Sequence, residues 1–234
     1  SHNGAFGPDP YQLQAVTTPL GQAPPCSVNL PYSPGQQVSI YTGTSVITSP
    51  ATLILVNKQR MDAAYGIVTT TQVTDKLQAL ADDPAVKGVI LPVENDRQVS
   101  TAYGYWDEGN ACNPNVANQV ADAIKSVTND YLNVHPDVQY LVVVGDDSIL
   151  PFRRVPDDAF VANESVYAGL AGLNPNNPTQ AALEQGYILT DDFYADRTSL
   201  LWRGRQLWLP ALPIGRLVET PQEIINTIDA FFYQ

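Results

Sequence analysis

The chain is expected to adopt an α/β fold, a three-layer sandwich around a mainly parallel sheet, and three observations lead there. Short apolar, β-branched runs at Thr52–Val56, Val86–Val93 and Tyr140–Val144 are separated by stretches of helical periodicity. None of these runs alternates apolar with polar residues, which is the pattern of strands covered on both faces. The run from Tyr140 stops at Gly145, Asp146 and Asp147. That puts a sharp turn and two carboxylates at the carboxyl end of a central strand, the edge where open α/β sheets hold their ligand sites.

Residues 1–45 read as a Pro/Gly-rich amino-terminal extension, with Pro8, Pro10, Pro19, Pro24, Pro25, Pro31 and Pro34 excluding long helices. Gln37–Thr48 fits edge strands, and residues 46–234 form the α/β unit. After the strand at Thr52–Val56, Val73, Leu77 and Leu80 recur at helical spacing until Asp83-Pro84 closes the helix. The strand Val86–Val93 carries Pro92 near its end, and a polar loop follows. Val116, Val120, Ile124, Val127 and Tyr131 then share one face of a helix over Val116–Leu132, with Asn115 as its cap and His135-Pro136-Asp137 as its stop. Strand, helix, strand, helix, strand in this order implies consecutive right-handed crossovers and a parallel sheet.

Pro151–Gly186 reads as a long irregular region with four prolines, of the kind that carries function. Tyr187–Thr190 fits a short strand, and Leu207–Leu217 a further strand reaching Gly215-Arg216. The last helix is signalled by Thr220 as cap, Pro221 at the first position and Glu223 completing a capping box, with Ile224, Ile228, Phe231 and Phe232 turned to the core. It shows no stop before Gln234, so the chain is expected to continue.

Acidic residues number 24 against 12 basic ones, a formal charge of −12 that repels a phosphate backbone and argues against nucleic-acid binding. No apolar run approaches the roughly 18 residues needed to span a bilayer. Only four lysines, together with a glycosylation-type Asn163-Glu-Ser165, suit a secreted or cell-surface protein. No glycine-rich phosphate loop follows Thr52–Val56, and no Gly-x-Ser-x-Gly elbow is present. The two cysteines, Cys26 and Cys112, lack the spacing of a zinc site, and one disulfide between them is open. Cys112 and His135 flank opposite ends of the Val116–Leu132 helix, about 25 Å apart at a rise of ~1.5 Å per residue, too far for a catalytic pair. Asp146, Asp147, Asp191, Asp192 and Asp196 all follow expected strands, and carboxylates gathered at one edge would suit Ca²⁺.

Three segments in sequence order resemble the gingipain-like cysteine peptidases. They are Val144-Gly145-Asp146 with Pro151 shortly after, then Asp191-Asp-Phe-Tyr-Ala195, then Leu212-Pro-Ile-Gly-Arg216 leading into the capped helix. The resemblance spans Leu53 to Phe232. It implies a caspase-like peptidase domain of two side-by-side α/β subdomains, of which this chain holds the first. The family's dyad, a His followed by Gly and a later Cys, falls downstream, so no catalytic residue is expected in this chain. The resemblance also implies structural Ca²⁺, for which Asp146, Asp147, Asp192 and Asp196 are the candidates. It further implies an acidic residue, Asp191 or Asp192, lining the substrate cleft. The partners implied are the catalytic subdomain and a polypeptide substrate, with no membrane span. The rival expectation is a non-enzymatic scaffold or binding module, stabilised by calcium or not.

Overall fold

Thr52–Val56 forms strand β1, and all five of its residues are buried. A computed structural model describes residues 49–170, 177–202, 204–218 and 220–233. The amino-terminal extension, the edge strands expected at Gln37–Thr48, and Cys26 lie outside the described residues. Asn57 turns the chain into α1 (Lys58–Tyr65), its side chain accepting the Arg60 N–H. Gly66, at φ +82°, separates α1 from α2 (Ile67–Asp82), which buries Val73, Leu77 and Ala81. Strand β2 (Gly88–Pro92) follows, and α2 lies so close to it that a Cβ on Gly88 would meet the Ala81 backbone at 2.9 Å.

The loop expected after β2 is instead a helix, α3 (Arg97–Asp107), capped by Asp96 and burying Val99, Tyr103 and Trp106. Its apolar positions are few and its exposed face is polar, which hid it. Helix α4 (Pro114–Val134) is the long amphipathic one, buried at Val116, Val120, Ile124 and Leu132. Its cap is Asn113 rather than Asn115, because Pro114 occupies the first helical position and the Asn113 side chain accepts the Asn115 N–H. β3 (Tyr140–Val144) then enters beside β1.

Pro151–Gly186 is less irregular than its prolines suggest. It holds β4 (Arg153–Pro156), α5 (Glu164–Tyr167) and α6 (Pro178–Glu184). β4 pairs antiparallel with β5 (Tyr187–Thr190), so β5 stands outside the main sheet. Next come α7 (Asp192–Ala195) and a hairpin of β6 (Leu200–Trp202) with β7 (Arg205–Leu207). The expected strand at Leu207–Leu217 shortens to β8 (Ile214–Leu217), since Pro210 and Pro213 lack the N–H a ladder needs. Helix α8 (Pro221–Phe232) has the full capping box. It buries Ile224 and Ile228, whereas Phe231 and Phe232 stay 41% and 42% exposed.

The main sheet has the order β2-β1-β3-β8, and every neighbouring pair is parallel. α2 packs with α8 and α3 with α4, making the three-layer α/β sandwich expected. Because β2 and β3 lie on opposite sides of β1, the strand order reverses there, and the carboxyl ends of β1 and β3 flank a topological switch point. No helix among the described residues is long and apolar enough to cross a membrane.

Candidate functional site

The turn after β3 occupies the switch-point edge, and its backbone shows why the sequence bends there. Gly145 sits at φ +101°, and a Cβ on it would meet Ile149 at 2.8 Å, so only glycine fits. Asp146 then makes an Asx turn, its Oδ1 accepting the Ser148 N–H at 2.9 Å, the Ser148 hydroxyl at 2.6 Å and the Ile149 N–H at 3.2 Å.

Side chains from distant elements take up the carbonyls of this turn. Arg216 of β8 donates from Nη1 to the carbonyls of Gly145 and Leu150, both at 2.8 Å. Its Nε and Nη2 form a fork on Asp191, at 2.8 and 2.5 Å, and its guanidinium lies 4.0 Å from the Phe152 ring centroid. Tyr194 of α7 donates its hydroxyl to the Pro151 carbonyl at 2.5 Å. From the other side, Arg60 Nε reaches the Ser148 carbonyl at 2.5 Å, and the Tyr103 hydroxyl reaches the Ile149 carbonyl at 2.6 Å. A turn anchored on so many carbonyls is a fixed platform.

Electrostatics match the geometry. Burial works against the charge of Arg216, yet the hydrogen bonds and charge of Asp191 hold its pKa above the ordinary value. Burial drives the Tyr194 phenol well above its usual range, so it stays a proton donor. Asp147, 5% exposed, accepts from Arg154 Nη2 at 2.6 Å, from the Phe152 N–H at 2.9 Å and from the Thr179 hydroxyl at 2.8 Å.

Of the carboxylates expected to bind calcium, three are engaged by protein groups and one is exposed. Asp146 shapes the turn and Asp147 neutralises Arg154. Asp192 is exposed at the start of α7, and Asp196 is buried with Lys125 Nζ at 3.9 Å. Among the described residues no three His, Cys, Asp or Glu side chains gather as a metal requires. Of the two cleft candidates, Asp191 is spent on Arg216, while Asp192 points a free carboxylate outward.

Cys112 is disulfide-bonded ahead of α4. His135 follows the other end of that helix and stacks on Tyr131. The arrangement brings no thiolate and imidazole together among the described residues. The sequence assigned no role to Arg60, Tyr103 or Arg154, and held Tyr194 only as part of the Asp191–Ala195 segment.

A family model, peptidase family C25, matches residues 58–233. Neither a curated protein nor a solved structure matches the chain. The match takes in all three segments that Arg216 and Tyr194 tie together.

Proposed function

The chain belongs to peptidase family C25, and from that premise we propose that it is the N-terminal half of a gingipain-like cysteine endopeptidase whose Cys-His dyad lies downstream. This half buttresses the catalytic half and forms one wall of the cleft that receives a polypeptide. The observation that carries the reading is the platform after β3. Residues of the three resembling segments, far apart in sequence, join through Arg216, Asp191 and Tyr194 at the edge where open α/β sheets bind ligands. A wall that must hold a substrate in register benefits from such preorganisation.

Asp192, exposed next to the clasped Asp191, is the cleft-facing carboxylate in this reading. The catalytic half packs beside β8, which ends the described sheet, and over the exposed Phe231 and Phe232. The disulfide at Cys112 supports export, since such bonds persist in oxidising compartments.

The test is to read the coding sequence beyond Gln234 and express the extended protein. The expected result is an apolar strand ending in His-Gly and a later one ending in Cys, with peptide cleavage abolished by thiol alkylation. An extension without that pair, or cleavage untouched by alkylation, would overturn the reading and leave a binding scaffold.

A further inference from the structure

At the β1–β2 end of the same edge sits a buried acid that the platform does not use. Glu94 follows β2 in a short 3-10 turn (Val93–Asn95) and is 8% exposed. Its Oε1 accepts the Lys58 N–H at the start of α1, 2.9 Å away. Its Oε2 is buried with no hydrogen-bond partner among the described residues. The Ser100 hydroxyl pins its backbone carbonyl at 2.8 Å. The charged and titratable groups that act on it are Lys58 on α1 and Tyr103 on α3, and Tyr103 in turn faces Arg60 and Asp107. Lys58 is engaged by Asp62, Arg60 by Asp107, and Tyr103 by the Ile149 carbonyl.

We propose that Glu94 is a proton-operated catch on α1: uncharged, it keeps the amino end of α1 seated on the sheet edge; ionised, it lets that end lift. Burial is the main cause that pushes its carboxyl up to about 7, against the N–H groups of its own residue, Lys58 and Gln59 and the charge of Lys58, which pull the other way. Ionisation leaves charge on an enclosed oxygen without a donor, and this is relieved when water enters as the first turn of α1 lifts. That turn carries Arg60, whose Nε holds the Ser148 carbonyl, so the release is passed to the platform after β3. The grip of Arg216 on the same turn does not titrate in this range. The catch is a property of this chain's own sheet edge and is independent of the peptidase reading.

Because the folded carboxyl binds its proton more tightly than a free one, the stabilisation is present in acid and lost as pH rises through about 7. The experiment is amide hydrogen exchange on the 234-residue chain, corrected for intrinsic rate. Amides of Lys58, Arg60 and Met61 are expected to lose protection about fiftyfold relative to α4 between pH 5 and pH 8. The loss should vanish in Glu94→Gln, which keeps the shape without the charge. A carbon-13 titration of the Glu94 carboxyl should show a midpoint near 7. Flat protection in the wild type, equal loss in the variant, or a carboxyl titrating near its ordinary value would each overturn the proposal. Should Glu94→Gln fail to fold, the wild-type exchange and the carboxyl titration decide between these outcomes.

Discussion

Two arginines with enclosed side chains, Arg216 on β8 and Arg60 on α1, grip the turn after β3 from opposite sides, and they differ in how completely they are satisfied. Arg216 spends Nε, Nη1 and Nη2 on Asp191 and two carbonyls. Arg60 holds Asp107 with Nη1 and Ser148 with Nε, lies 4.5 Å from the Tyr103 ring centroid, and leaves Nη2 buried without a hydrogen bond among the described residues. Nearby Glu94 has the matching defect on the acceptor side. A fully satisfied buried network stiffens its surroundings, whereas an unsatisfied one carries a desolvation cost that opening relieves. The turn is thus held firmly from the β8 side and conditionally from the α1 side.

The contrast is easiest to break at Arg216. Arg216→Met leaves Asp191 and two carbonyls without their donor, and is expected to cost about 3–5 kcal/mol in chemical denaturation. Arg216→Lys should recover only part of it, because an ammonium cannot fork onto a carboxylate. Pairing Arg216→Met with Asp191→Asn should cost less than the two changes summed; additivity would mean that the fork is not the clasp.

A pH profile should separate the two sides next. The raised carboxyl of Glu94 supplies stability below pH 4.5 that is lost by pH 8, on the order of 3 kcal/mol. Glu94→Gln should flatten that segment of the stability curve, and a parallel curve would assign the dependence elsewhere. Arg60→Met should cost about 2 kcal/mol, less than Arg216→Met, because one of its donors is already unpaired. An equal or larger loss would reverse the ranking of the two sides.

Tyr194→Phe deletes one buried hydrogen bond, to Pro151, at a cost of about 1–2 kcal/mol. Asp192→Asn, on an exposed carboxylate, should change stability by less than about 0.5 kcal/mol. In the extended protein the same change should raise KM for peptide substrates, and an unchanged KM would remove Asp192 from the cleft.

Much of the frame was legible from local chemistry. β1 and β3 begin and end at the residues where their apolar runs do, and α8 starts on the Thr220 box because cap, proline and Glu223 lie within one turn. The core of α4 followed from period alone, although Pro114 shifted its cap to Asn113. β4 escaped notice because its two arginines mask a strand, and Arg154 becomes buried only once Asp147 is opposite it. Phe231 and Phe232 are apolar in a helical pattern, yet no described element covers them well.

The site divides in the same way. Gly145 and its carboxylates marked the edge of the sheet, since a glycine after a buried run announces a turn wherever it occurs. Which groups meet there is another matter. Arg216 lies 25 residues from Asp191 and 71 from Gly145, and nothing local distinguishes Asp191, which is clasped, from Asp192, which is free. Period, caps and turns depend on bonds closed within a few residues, so they can be read from the order of the chain. Ion pairs, orphaned atoms and the pKa of Glu94 depend on what the folded sheet brings together and shuts away from water, and these exist only once the layers have packed.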